Sequence, residues 1–210
     1  MEIWFDNISS LRDYNLEMEY CYITTPKRKR NLIDVPAADG DIDVMEGIGE
    51  PTYENRTVTA LFKMLGNIKA TRYRIINNLE GKTVQIVLPG DPNHYMVGRV
   101  HVAGVGFSPG DELLIIIDCN PWRYARSMVS TSIAASASEG QHTWRNSGRR
   151  LAVPEITVES GDVTFVADGK TTVLGQGTHL VTALAIPGFS SRSVTARGGA
   201  FTVQYREAVL

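Results

Sequence analysis

The sequence predicts a mainly β protein with one short helix, an α+β chain divided into two domains. Three observations carry that expectation. Apolar residues recur in steps of two through most segments, as half-buried strands require. Clusters of Gly, Pro, Asn and Asp punctuate the chain at short intervals. One segment, residues 68–79, instead carries apolar residues at helical spacing. The chain has 210 residues, 43% hydrophobic and 21% charged, long enough to bury a core without disulfide or metal staples.

In order, residues 2–6 are apolar enough for a short strand, and residues 16–24 alternate as a half-buried one. Four consecutive cations follow Pro26, Lys27-Arg28-Lys29-Arg30, and read as a solvated hairpin tip or loop. A nucleic-acid patch would need a second basic run, and the net charge of -2 offers no such footprint. Residues 32–36 make another short strand. Residues 37–53 hold several Gly, Pro and acidic residues and read as a long loop or protruding β-arm. Residues 56–65 form the clearest strand of the first half, with Val58, Ala60, Phe62 and Met64 on one face and Thr57, Thr59 and Lys63 on the other.

The helix over 68–79 is expected to bury a stripe through Tyr73 (or Arg72), Ile75, Ile76 and Leu79, with Gly81 as its left-handed cap. Strands follow over 82–88 and 94–105, the latter interrupted by Gly98 as at a bulge. Residues 112–119 (ELLIIIDC) are a continuous apolar run, as in a strand buried on both faces.

The segment Asn120-Pro-Trp-Arg-Tyr-Ala-Arg breaks the pattern and sets the domain boundary: residues 1–125 form a β-sandwich-like domain with β-arms and the helix, and residues 126–210 a second domain. Residues 127–148 are rich in Ser, Thr and Ala. Beyond them short strands are expected at 153–159, 162–167, 170–174, 179–186 and 200–206, with turns at 160–161, 168–169, 187–188 and 198–199. That spacing predicts a small antiparallel β-sandwich; a galectin or carbohydrate-module likeness is the expected variety.

The search for chemistry returns little. His94, His101, His142 and His179 stand at no ligand spacing such as HxH or HExxH. Asp39, Asp41, Asp43 and Glu46 resemble a calcium loop, but the sixth and twelfth places from Asp39 are Val44 and Glu50, so only the last carboxylate fits and a solvated acidic arm is the simpler account. No metal or other cofactor is therefore expected. Cys21 and Cys119 have no Cys or His partners at metal spacing and read as small apolar residues. There is no GxSxG, P-loop or GxGxxG, and no pair of carboxylates stands out for glycoside cleavage, so no enzyme is predicted. A carbohydrate-binding module for host-surface attachment is the alternative reading, with Trp144, flanked by Thr143 and Arg145, as its exposed sugar-stacking residue. No apolar run of about 18 residues is present, and the N-terminus has neither the basic nor the apolar region of a signal peptide, which predicts folding in a cytoplasm and no membrane partner.

The order of the parts is more telling than any one of them. An acidic loop leads into Tyr53-Glu-Asn-Arg-Thr-Val-Thr; a helix ends in Leu79-Glu-Gly-Lys; then come Val84-Gln-Ile-Val-Leu, Asp91-Pro-Asn-His-Tyr-Met-Val-Gly-Arg-Val, Asp118-Cys-Asn-Pro-Trp-Arg-Tyr and a closing Gly198-Gly-Ala-Phe-Thr-Val-Gln-Tyr-Arg-Glu. This order resembles the siphophage distal tail protein (Dit) family over most of the chain, least at 127–148. The resemblance implies a hexameric ring at the distal end of a phage or prophage tail tube, a structural part and not an enzyme. The N-terminal domain would close the ring and the C-terminal domain would hold adhesion proteins. Tail tube, tape-measure and receptor-binding proteins are the implied partners, DNA the passing cargo, and the virion tail tip the location. A closed ring needs heterologous interfaces, which β-arms supply by strand addition. The arms at 25–31 and 37–53 are the candidates, with Lys27, Arg28, Asp39, Asp41, Asp43, Tyr53 and Arg56 as interface residues.

Overall fold

The computed structural model describes residues 1–33, 42–43, 51–103 and 110–210. The chain divides into two compact units, Met1–Arg123 and Tyr124–Leu210.

The first unit holds β1 (Trp4–Phe5), β2 (Ile8–Ser9), β3 (Leu16–Ile23), β4 (Leu32–Ile33), β5 (Ile42–Asp43), β6 (Arg56–Met64), α1 (Ile68–Leu79), β7 (Thr83–Leu88), β8 (Asp91–Ala103) and β9 (Glu112–Cys119). Where two facing sheets were expected, one antiparallel sheet runs β2-β1-β7-β8-β9-β6-β3, and β4 pairs with β5 apart from it. The sheet curls until its last strand meets the chain's first residue: Met18 N–H donates to Met1 O at 3.0 Å. Strands with one apolar face can bury it this way without a second sheet, because the curl turns that face inward on itself. Phe5, Leu16, Phe62, Ile86, Ile115 and Ile117 all lie in the resulting core.

Helix α1 has the predicted bounds. Asn67 caps it, accepting from Ala70 N–H at 3.1 Å, and Gly81 ends it at φ +71 with its N–H on Val100 O. Its buried stripe is Thr71, Ile75 and Leu79, one turn apart, while Tyr73 is 58% exposed. The expected stripe was therefore rotated, because Thr71 is small enough to lie against the sheet and the large polar-tipped Tyr73 is left outside.

Gly98 marks no bulge: its register against Val84 and Cys119 is unbroken. It is a close approach instead, since a Cβ there would lie 2.6 Å from Cys119 Sγ and 2.8 Å from Ile117 Cγ2. The irregularity falls on the neighbouring strand, between Ile86 and Leu88. Nor is β9 buried on both faces. Leu113, Ile115, Ile117 and Cys119 are buried, but Leu114 and Ile116 are only half-buried, as the outer face of a one-layered sheet dictates.

Both cysteines are free thiols. Burial pushes the Cys119 thiol up to about 12, with Arg56 pulling weakly the other way, and burial raises Cys21 as well. Thiolate is the reactive form. At pH 8 a thiol reagent is expected to label Cys21 slowly and Cys119 only after unfolding, which mass spectrometry of peptides would show. Because the folded thiol of Cys119 titrates above its ordinary value of 9.0, the native state binds the extra proton between pH 9 and about 12, and stability falls as pH rises through that window.

The second unit is a β-sandwich of two four-stranded antiparallel sheets, as expected. After β10 (Arg123–Ala125), one sheet orders β11 (Val129–Ile133), β18 (Phe201–Tyr205), β13 (Glu155–Val158) and β16 (Gly177–Leu180). The other orders β12 (Ser136–Asn146), β17 (Ser190–Gly198), β14 (Val163–Ala167) and β15 (Lys170–Leu174). The predicted strand at 179–186 stops early and gives way to a short 3-10 turn, Thr182–Leu184. The Ser- and Thr-rich segment forms β11 and β12, and β17 arises where no strand was expected. Phe165 sits edge-on to Phe201, with ring centroids 5.0 Å apart, at the centre of the core.

Candidate assembly surface

The hairpin formed by β3 and β6 continues outward as an arm. Beyond the register pair Ile23↔Val58, Thr24 N–H donates to Thr57 O and Thr57 N–H returns to Thr24 Oγ1. Further out, Glu54 N–H donates to Lys27 O, Lys29 N–H to Thr52 O, and Arg28 bridges Tyr53. Residues 27–29 thus pair with residues 52–54, and β4 pairs with β5 antiparallel farther along the chain. Lys27 and Arg28 are exposed on this arm. Asp43 lies in β5, with its backbone opposite Leu32. Asp39 and Asp41 lie outside the described residues. Tyr53 is half-buried, its ring edge-on to Trp122 with centroids 5.6 Å apart, and so roots the arm.

Arg56 must be corrected. It is 5% exposed, and its Nη2 donates to Pro121 O. Burial, reinforced by Arg123, pulls its pKa below the ordinary arginine value. Alternation explains this: Arg56 shares the inward face of β6 with Val58 and Ala60, so it braces the 120–123 segment and offers nothing to a neighbour.

The outer half of β3 is the part that sequence reading undervalued. A bulge between Met18 and Tyr20 inserts Glu19, so that beyond it Cys21 packs on the core and Tyr20 and Tyr22 face outward. Past it, Tyr20 and Tyr22 are 56% and 54% exposed, and Ile23 is exposed as well. Because β3 ends the sheet order, this apolar stretch is an edge strand, the kind of surface that pairs with another chain. Beside it runs a groove of about 490 Å³, between Tyr20, Cys21 and Ile23 and the turn at residues 88–91. Its polar end is Asp91, whose two carboxylate oxygens engage His94 Nδ1 at 2.7 Å and Arg123 Nη1 at 3.0 Å. On the arm itself, Leu32 and Ile33 are about half-exposed. Leu32 and Ile33, which follow the four cations and Asn31 in the sequence, were the available signal for this surface.

The other residues singled out fall elsewhere. His101 lies on the sheet's outer face near Glu80 and Asp118, and His179 Nε2 meets Gly175 O. Among the described residues no three His, Cys, Asp or Glu side chains gather as metal ligands. No described helix is long and apolar enough to cross a membrane. Trp144 is also corrected: it is 4% exposed and packs edge-on against Phe165. Its flanking Thr143 and Arg145 point out because they alternate with it along β12, which places the indole inside the sandwich and away from any sugar.

No family model matches this chain, and no curated protein does. Among solved structures, the SPP1 Dit (gp 19.1) protein, presented as a paradigm of the hub adsorption apparatus in phages infecting Gram-positive bacteria, matches with a TM-score of 0.71. The two chains share a fold. The match covers 100% of this chain and 99% of that one at 11% identity, so both units and their order in sequence are common to the two. The EutQ protein of Clostridium difficile matches with a TM-score of only 0.24, at 13% identity over 58% of this chain and 73% of that one, and carries no argument.

Proposed function

We propose that this protein is the structural hub of a long-tailed phage or prophage tail tip. It forms a ring, hexameric by the resemblance, that joins the tail tube to the adhesion apparatus and leaves a central channel for DNA. The observation that carries this reading is the fold shared along the full length with a phage hub protein. The arm and the exposed edge strand support it, since both are surfaces that a single chain leaves uncovered. In a ring these surfaces face different neighbours, as a heterologous interface requires. The partners are the tail tube and tape-measure proteins on one side and receptor-binding proteins on the other. The slight negative charge suits a channel that must release DNA, because clustered cations would hold phosphates in place. In this role the chain works through interfaces and performs no catalysis.

The first test is the solution mass of the purified protein by light scattering, with negative-stain images of the main peak. The expected result is a six-chain particle with a central hole. A single chain that stays so at high concentration, and when tail tube protein is added, would refute the hub reading.

A further inference from the structure

In the second unit, three stretches of chain are knitted around one buried amide. Asn146 is 1% exposed. Its Nδ2 donates to Arg150 O at 2.7 Å, Ile186 O at 3.1 Å and Pro187 O at 3.3 Å, while its Oδ1 accepts from Gly148 N–H at 2.9 Å. Ala152 and Ile186 exchange both backbone hydrogen bonds, and Arg149 N–H donates to Ala208 O at 2.8 Å. Contact is close enough that a Cβ on Gly188 would lie 1.9 Å from Arg149 O. Phe189 emerges at the head of this clamp. Its N–H is held by Gly148 O at 2.8 Å, its φ is +52, and it is 71% exposed.

An aromatic residue at positive φ is disfavoured, since Gly or Asn would sit there with less strain. The exposed ring returns nothing to the core. A strained backbone that is heavily over-determined, presenting a large apolar side chain to solvent, has the form of a preorganised contact. We propose that Phe189 is a preformed anchor that inserts into an apolar, acid-rimmed pocket on a partner protein.

The chemistry around it selects that class of partner. The neighbouring backbone N–H groups of Gly148, Arg149, Arg150 and Phe189 are already spent within the clamp, so the remaining donors are guanidiniums, whose charge suits carboxylates better than neutral sugar hydroxyls. Pro187 and Leu151, which flank the Ala152–Ile186 bridge, are exposed and apolar, and extend the contact. Arg149 and Arg150 are exposed on the same clamp, the latter held in place by its Nη1 donating to Tyr124 Oη at 2.6 Å, and their positive charge favours carboxylates at the rim of the partner's pocket. Rigid aromatic anchors of this kind carry a large share of binding energy at protein interfaces. The proposal stands on the second unit alone and does not depend on ring closure.

The test uses the full chain and a randomised displayed-peptide library. Selection is expected to enrich peptides combining acidic and apolar residues. Their binding should fall about tenfold or more in Phe189→Gly, and more modestly in Arg149→Glu. Phe189→Gly relieves the positive φ, so its thermal midpoint is expected to equal or exceed that of the parent, which separates a binding role from a folding role. Three results would overturn the proposal: a lowered midpoint in Phe189→Gly, enrichment of no peptide or of peptides that bind Phe189→Gly equally well, or a glycan-array signal lost in that variant, which would make Phe189 a sugar platform.

Discussion

Replacing residues 32–50 with a short glycine-serine turn is expected to reduce the proposed ring to single chains while leaving the first unit folded. The fold should survive because, among the described residues, the core of that unit takes nothing from the replaced stretch. Its buried residues come from β1, β3, β6, α1, β7, β8 and β9 and the segments beside them. The cut also spares the base of the arm, where Arg28 bridges Tyr53 and Tyr53 packs on Trp122, which is why it stops short of residue 53. Assembly should fail because the change removes Leu32 and Ile33, and leaves the edge at Tyr20 and Tyr22 without its occupant. Side chains that are half-exposed in the single chain gain roughly 1 kcal/mol or more each on burial. A ring repeats that gain at every interface, so losing it acts on all of them together. Light scattering would record the fall to one chain's mass, and circular dichroism would record the retained strands. Rings that persist in this variant would place the interface elsewhere.

The second large effect concerns stability. Gly198→Ala is expected to destabilise the second unit by about 3 kcal/mol or more. Gly198 ends β17 at φ +117, a conformation that strains any side chain. An added Cβ would lie 2.1 Å from Asp162 O. The backbone cannot move aside cheaply, because Gly198 is paired with Ser136 on one side and Val163 on the other, and Gly199 N–H donates to Asp162 O at 3.0 Å. For a unit of this size the thermal midpoint should drop by roughly 10–20 °C. Gly175→Ala is the matched control: its Cβ would meet only Asp162 Oδ1, at an ordinary 3.6 Å, and φ is not in the left-handed region. Its effect should stay within about 0.5 kcal/mol. Equal midpoints for the two variants would refute the argument from the crossing at Asp162.

Much of this architecture was legible in the sequence. The helix is found at its predicted residues because its start and stop are local chemistry, an Asn67 cap and a Gly81 exit. Strand β6 was readable because its two faces differ sharply in polarity, and β15 because Asp168-Gly169 supplies the two positive-φ residues of a tight hairpin turn. At the base of the expected arms, residues 27–29 pair with residues 52–54, while most of the Gly-, Pro- and acid-rich stretch 37–50 lies outside the described residues. The interface residues were less legible. Lys27, Arg28 and Tyr53 do fall on the arm, but Arg56 braces the interior and Trp144 is core. A flanking polar residue looks the same whether its neighbour is a surface aromatic or a buried one.

By itself the sequence determined where the helix and most strands and turns of the described residues fall, since alternation, capping and positive-φ demands act between residues close in the chain. Only the tertiary structure decided which face of each strand meets the core. That choice sent Trp144 and Arg56 inward, and left Tyr20, Tyr22 and Phe189 outside. It also made a strand of β17, whose Val194 and Ala196 are its only fully buried side chains, because β12 and β14 lie on either side to satisfy its backbone. Burial and backbone pairing depend on partners distant in sequence, and no local pattern records where those partners will be.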